Sequence, residues 1–185
     1  NLPENSLLQL GNSMPIRYAS FISLSGEYSQ TGIKVNSNRG TSGIDGSIST
    51  AVGAAITTDR ITTIIAGDLA FFYDRNALWN NYIPTNLRII ILNNHGGGIF
   101  RILEGSGSLP ELNEYFETSN KLNAENTAKD FGLEYFHCNN YESLINNLET
   151  FFDISEKAKI LEIESDSVNN TKIFNTFKKQ VKELK

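Results

Sequence analysis

The sequence predicts an α/β fold, a three-layer α/β/α arrangement in which helices cover both faces of a mostly parallel sheet. Short apolar, β-branched segments alternate along the chain with segments whose apolar residues recur at helical spacing. The two central apolar segments are unbroken, as is typical of strands that are buried on both faces of a parallel sheet. We expect a single domain over residues 1–185.

The predicted elements alternate throughout the chain. Strands are expected at residues 6–10, 34–36, 61–66, 88–92, 133–137 and 158–164. Helices are expected at residues 14–24, 47–56, 124–131, 141–152 and 168–185, and a further helix is expected between Gly67-Asp68 and an exit loop at 80–86. Ser13 stands at the N-cap position of the first helix, where its hydroxyl would cap the helix or meet a ligand. Phe71, Phe72, Leu78 and Trp79 are expected to form the apolar face of the third helix, with Asp74 and Arg75 exposed.

Composition excludes several classes of protein. With 39% hydrophobic and 20% charged residues the chain is typical of a globular protein, and its net charge of -5 argues against a nucleic-acid surface. No apolar run approaches the length of a membrane span. The single cysteine, Cys138, excludes an internal disulfide, suits a reducing, cytoplasmic setting and is expected to be buried at a strand end.

The segment 61–100 contains the strongest functional signal. One apolar strand ends at Gly67-Asp68, and the next ends at Asn93-Asn94 before three glycines, Gly96 to Gly98. The carboxyl ends of parallel strands are where ligands bind in open α/β sheets. Carboxylate, amide and backbone carbonyl oxygens suit Mg²⁺, which commonly also binds phosphates. The residues therefore predict a magnesium–diphosphate site.

Two loops leave alternatives open. The small, polar segment 37–46 leads into a helix of small residues, so it is either an anion-binding loop or an ordinary turn in which Asp45 caps the helix. The segment 105–113 is either a lid or an exposed connection. The glycines match neither a Walker P-loop nor the dinucleotide fingerprint, and the two histidines, His95 and His137, lack further zinc ligands.

Four ordered motifs carry a resemblance to a known family. They are GNSMPIR (11–17), SNRGTSGIDG (37–46), GDLAFFYDRNAL (67–78) and NNHGGGIF (93–100). The Gly-Asp and Asn-Asn pairs look like the thiamine-diphosphate motif of decarboxylases and carboligases, with Leu69 in place of the glycine found in the acetolactate-synthase-like branch. Together the motifs resemble the 2-succinyl-5-enolpyruvyl-6-hydroxy-3-cyclohexene-1-carboxylate synthase family of menaquinone biosynthesis. The resemblance covers the C-terminal, diphosphate-binding domain of that longer enzyme.

The resemblance implies a role for each motif residue. Asp68, Asn94 and the Gly96 carbonyl would hold Mg²⁺, or Mn²⁺, against the cofactor diphosphate. Ser13, Gly67 and Leu69 would contact the cofactor, and Ile44 would support its bent conformation. Arg17 and Arg39 would bind substrate carboxylates, and Ile99 and Phe100 would line the substrate pocket.

The resemblance also implies a reaction and a wider assembly. The family decarboxylates 2-oxoglutarate and adds the succinyl-semialdehyde unit to isochorismate, in a homodimer or homotetramer whose subunits share the site. Its activating glutamate lies on an N-terminal domain, so no catalytic side chain is expected in this chain, which begins at Asn1 like an excised or processed piece. The alternatives are another 2-oxo acid carboligase and a non-catalytic module that serves assembly.

Overall fold

A six-stranded parallel sheet forms the centre of the fold in the computed structural model, which describes residues 2–22, 31–40 and 42–183. The strands are β1 (Leu7–Leu10), β2 (Lys34–Ser37), β3 (Thr62–Gly67), β4 (Leu87–Asn93), β5 (Glu134–Cys138) and β6 (Lys159–Glu164). Their order is β2-β1-β3-β4-β6-β5, and every neighbouring pair is parallel. The predicted α/β class is confirmed.

Six α-helices lie within the described residues; five connect successive strands, and the sixth follows β6. They are α1 (Met14–Ile22), α2 (Ser47–Ile56), α3 (Asp68–Asp74), α4 (Glu125–Phe131), α5 (Tyr141–Phe151) and α6 (Ser167–Glu183). The predicted ends of α1 at residue 24 and of α6 at residue 185 lie outside the described residues. Short 3-10 turns at Arg75–Leu78, Gly98–Arg101 and Ser106–Ser108, and a π-helical turn at Leu112–Phe116, complete the local structure. No helix among the described residues is long and apolar enough to cross a bilayer.

The sheet is covered on both faces because successive strand residues point to opposite sides. Ile89 and Ile91 of β4 belong to one core with α2, α3 and α4, whereas Ile90 joins a second core with Phe151 of α5. Cys138 is buried at the end of β5, as expected. The three predicted layers are therefore present.

The chain order of the strands places a crevice at one end of the sheet. The connection from β1 leads to β2 on one side, while the connection from β3 leads to β4 on the other, so the winding reverses between β1 and β3. Ligands bind at the carboxyl ends of strands at such reversals. The segments that follow β1 and β3, which contain Ser13 and Asp68, lie at this point.

Trp79 corrects the prediction for the third helix. The helix ends at Asp74, and the tighter turn at Arg75–Leu78 changes the helical spacing. The indole is consequently 84% exposed instead of lying on the apolar face. Arg75 is exposed, as predicted.

Asp74 was expected to be exposed, but it is buried against α2. Its carboxylate accepts hydrogen bonds from the backbone N–H of Ser49 (2.7 Å) and from the Ser49 hydroxyl (2.6 Å). The N-cap residue of α2 is Gly46, which makes no side-chain cap. The acid that satisfies a free N–H in the first turn of α2 therefore comes from the neighbouring helix and not from Asp45.

Candidate functional site

A cavity of about 670 Å³ opens at the carboxyl ends of the central strands. Its walls come from the segments after β1, β2, β3 and β4 and from the start of α6. All eleven residues that the sequence assigned to a site line this cavity: Ser13, Arg17, Arg39, Ile44, Gly67, Asp68, Leu69, Asn94, Gly96, Ile99 and Phe100. The fold therefore brings the four sequence motifs together around one space.

The three predicted metal ligands converge in this cavity. One end of the Asn94 side-chain amide lies 3.2 Å from Asp68 Oδ1 and 2.9 Å from the Gly96 carbonyl oxygen. Ligands about 2.1 Å from an octahedral Mg²⁺ stand about 3.0 Å apart, which matches this spacing. Without a cation the amide nitrogen occupies this position and donates to both oxygens. With a cation bound between the three groups, the Asn94 amide would turn its oxygen toward the metal. The donor set fits a hard divalent cation.

The Asp68 carboxyl is buried at the first residue of α3. Its side chain is 1% exposed, and this burial raises the pKa of the carboxyl above its ordinary value. Asn120 opposes the shift by donating a hydrogen bond of 3.1 Å to Asp68 Oδ2. A bound cation would offset the remaining cost of desolvation.

The glycine turn packs too closely against its neighbours for side chains. A Cβ on Gly96 would lie 2.7 Å from the Glu117 carbonyl oxygen, and one on Gly98 would collide with the Asn94 amide nitrogen. The Gly97 N–H donates to the same Glu117 carbonyl at 2.6 Å. These contacts fix the turn that presents Asn94 and the Gly96 carbonyl.

Glu117 also anchors the cavity wall through its side chain. The carboxylate is buried and accepts two hydrogen bonds of 2.6 Å from Nε and NH2 of Arg101, and one of 2.5 Å from the Ser167 hydroxyl. This paired geometry is the strong form of an arginine–carboxylate contact. It joins the turn at Gly98–Arg101 to the N-terminus of α6.

The apolar part of the cavity lies beside that clamp. Ile99 and Phe100 are half-buried and face the space, so they are not plain core residues. The Phe100 ring contacts the Phe116 ring of the π-helical turn at 5.7 Å between centroids. The segment 105–113, predicted as a loop, is mostly exposed and includes the 3-10 turn at Ser106–Ser108.

The two predicted substrate arginines stand at the other side of the cavity. Arg17 donates to the Ser13 carbonyl at 2.7 Å, and Arg39 donates to Asn12 Oδ1 at 2.8 Å. Neither forms an ion pair with a carboxylate among the described residues. Two guanidinium groups held by neutral oxygens leave their positive charge available to an anionic ligand.

Left-handed backbone at non-glycine residues is concentrated around the cavity. Ser13, Ser42, His95 and Thr118 have φ values of 74°, 60°, 60° and 49°. Such residues store conformational strain and are frequent at functional sites. Ser13 precedes α1 as expected, but its φ differs from the extended value of an ordinary N-cap.

His95 forms contacts outside the cavity. Its Nε2 lies 3.1 Å from Glu164 Oε1, and His137 Nε2 lies 2.9 Å from Glu164 Oε2. The His95 contact, followed by the His137 contact, lowers the pKa of the Glu164 carboxyl. All three side chains are at least one-third exposed, so this cluster adds little to stability.

The sequence did not identify three residues that support the site. Asn12 lies within the first motif, and its buried amide links Arg39 to the Ser42 carbonyl. Asn120 contacts Asp68 from 52 positions away, and Glu117 contacts the glycine turn from a stretch without periodicity. Only Asn12 had a signal in the sequence, namely its place in the motif.

The chain matches one described protein family. The profile of the thiamine pyrophosphate enzyme, C-terminal TPP binding domain, matches residues 26–163. Three relatives are named 2-succinyl-5-enolpyruvyl-6-hydroxy-3-cyclohexene-1-carboxylate synthase. The chain is 55% identical over 183 residues to that of Cytophaga hutchinsonii, 48% over 181 to that of Flavobacterium johnsoniae, and 39% over 184 to that of Bacteroides thetaiotaomicron.

The matches span nearly all of this chain but a smaller share of the relatives. They cover 99%, 98% and 98% of the chain, and 32% of each of the three relatives. The family profile covers well over half of the chain, including the strands that carry Asp68 and Asn94. The chain therefore belongs to the thiamine pyrophosphate enzyme family, as a C-terminal TPP-binding domain.

Proposed function

We propose that this domain holds thiamine diphosphate through Mg²⁺, or Mn²⁺, in a carboligase that joins 2-oxoglutarate to isochorismate in menaquinone biosynthesis. The observation that carries the proposal is the convergence of Asp68 Oδ1, one end of the Asn94 amide and the Gly96 carbonyl oxygen at 2.9–3.2 Å in the cavity between β1 and β3. The names of the relatives support the choice of reaction. The complete enzyme, its substrates and its cytoplasmic location are part of the proposal.

Each residue of the site has a separate task in this proposal. Asp68, Asn94 and the Gly96 carbonyl would bind the cation, which would in turn hold the two phosphates. Gly67 offers open space beside its Cα, so its backbone can approach a phosphate closely. Ser13 and Leu69 would contact the cofactor, and Ile44, which also packs on the core, would support its conformation.

The cofactor supplies the stabilisation of negative charge on carbon, so the protein's work is to position and desolvate the reactants. Both proposed substrates carry several carboxylates. Arg17 and Arg39 would bind these groups, while Ile99 and Phe100 would exclude water from the reacting end. The side chain that activates the cofactor is proposed to come from outside these 185 residues, in a homodimer or homotetramer. We therefore infer that this stretch alone does not turn over substrate.

Calorimetry on the complete natural chain tests cofactor binding. Thiamine diphosphate should bind only with Mg²⁺, and Asp68→Ala should abolish this binding. The control is Asp130→Ala, which removes an exposed acid on α4 and should bind the cofactor like the wild type. Absence of magnesium-dependent binding in the wild type would favour the alternative of a non-catalytic module.

A substrate test separates the proposed reaction from that of another 2-oxo acid carboligase. The complete protein should consume 2-oxoglutarate only when isochorismate is present as acceptor. Replacing Arg17 or Arg39 by Leu should raise the KM of a dicarboxylate and should leave cofactor affinity unchanged. Equal turnover of pyruvate and 2-oxoglutarate would contradict the substrate assignment.

A further inference from the structure

Glu162 is a buried carboxylate that has no role in the assignments above. It lies in β6 opposite Ile91 of β4 and is 1% exposed. Its Oε1 accepts from Asn93 Nδ2 at 2.7 Å, and its Oε2 accepts from the Ala124 N–H at 2.9 Å and from the Tyr135 hydroxyl at 2.5 Å. Three neutral donors satisfy its two oxygens, as a buried carboxyl group requires when no cation pairs with it.

Glu162, together with the Leu122 carbonyl, holds the orientation of the Asn93 amide. Glu162 Oε1 acts as the acceptor in this contact, so the amide nitrogen of Asn93 faces it. The same nitrogen donates to the Leu122 carbonyl at 3.0 Å. The amide oxygen is thereby directed away from Glu162, and it accepts the His95 N–H at 3.0 Å.

The bond from His95 to Asn93 closes a turn around the cation ligands. An Asn side chain that accepts the N–H two residues later forms an Asx turn. Here that turn has Asn94 at its corner, and it holds His95 at a φ of 60°, which is costly for a residue other than glycine. Gly96 follows immediately. The orientation of one buried amide thus holds the backbone that presents both the Asn94 side chain and the Gly96 carbonyl.

We propose that Glu162 is a positioning residue for the cation site, acting through the Asn93 amide on the turn that presents Asn94 and Gly96. This inference rests on the proposed cofactor function. Glu162 itself lies outside the lining of the cavity and touches no predicted ligand directly. Its action is to exclude the rotated form of the Asn93 amide, in which the His95 N–H would lose its acceptor.

The test uses the complete natural chain with Glu162→Gln. A glutamine can donate as well as accept, so it no longer dictates the direction of the Asn93 amide. We expect the dissociation constants for Mg²⁺ and for thiamine diphosphate to rise roughly ten- to a hundredfold, as is typical when a partner that orients a metal ligand is removed. In the cofactor-free protein, the His95 amide hydrogen should exchange faster with solvent.

Tyr135→Phe is the matched control. It removes a different hydrogen bond from the same carboxylate and leaves the Asn93 contact in place. We expect a lower melting temperature with wild-type affinity for Mg²⁺ and cofactor. Equal loss of affinity in Tyr135→Phe and Glu162→Gln would overturn the proposal, because a general structural role predicts that result.

Asn93→Ala is the second variant, in case Glu162→Gln does not fold. It should weaken cation binding to the same extent, and combining it with Glu162→Gln should add little, because both act through one contact. Wild-type affinity in Asn93→Ala or Glu162→Gln would overturn the role of Glu162. Failure of the wild type itself to bind the cofactor would instead overturn the proposed function, so the two failures are distinguishable.

Discussion

Replacing Asp68 by Asn should stabilise the cofactor-free domain while abolishing its proposed function. The carboxylate is 1% exposed, and burial raises its pKa, so folding in the charged form is penalised. Asparagine has nearly the same shape and keeps an oxygen to accept from Asn120. The variant therefore removes the penalty and retains the contact.

The expected gain in the free energy of unfolding can be estimated from other binding sites at which an unfavourable buried group has been replaced. Such a replacement typically gains about 1 kcal/mol, which for a domain of this size raises the melting temperature by about 2–4 °C. The size of this gain depends on pH. A raised pKa means that the penalty is absent below the ordinary Asp value of 3.8 and appears as pH rises through the folded-state pKa. The advantage of the variant should therefore be full at neutral pH and should vanish in acid.

Two assays check this prediction. Thermal unfolding of the cofactor-free 185-residue chain at several pH values compares the wild type with Asp68→Asn. Unfolding of the complete natural chain with thiamine diphosphate and Mg²⁺ at about 100 times the dissociation constant should show about 2.7 kcal/mol of added stability in the wild type and none in the variant. A lower melting temperature for the variant at neutral pH, or a difference that does not change with pH, would refute the reasoning.

Three further substitutions test the geometry of the site. Gly67→Ala adds a methyl group to open space, so the melting temperature should stay within about 2 °C of the wild-type value. Cofactor affinity should fall because the methyl group would keep a phosphate away from this backbone. Unchanged affinity in calorimetry would contradict that close approach. Gly98→Ala should displace the Asn94 amide and weaken Mg²⁺ binding more than it lowers stability, and a purely thermal effect would count against the ligand role of Asn94. Glu117→Gln breaks the paired contact with Arg101 and should cost about 2–3 kcal/mol in denaturant unfolding; a loss below about 0.5 kcal/mol would show that this clamp is not structural.

The sequence contained enough information to predict the sheet and the strand ends that form the site. The β-branched run that ends at Gly67 and Asp68 identifies both a buried strand and the residues exposed where it stops, because these are local properties of the chain. The same reasoning applies to β4 and Asn94. The roles proposed for Ser13 and Ile44 came instead from the family resemblance.

Contacts between distant segments could not be predicted in this way. Asp74 was expected to be exposed because nothing in its own helix indicates that it satisfies an N–H of α2. Asn120 reaches Asp68 across 52 positions, and Glu162 reaches Asn93 across 69. Such pairs depend on how strands are ordered in the sheet and how loops fold over its end, which neither periodicity nor residue spacing encodes.

The buried carboxyl of Asp68 and the left-handed residues that line the cavity, Ser13, Ser42 and Thr118, have a consequence for the lifetime of the protein in the cell. Burial of a carboxyl and strained backbone at the binding site lower the free energy of unfolding of the cofactor-free protein. A cofactor that binds only the folded chain raises this free energy again. Proteases remove chains in proportion to the time they spend open. We expect that thiamine starvation would therefore lower the abundance of the protein as well as its activity, even at a constant rate of synthesis.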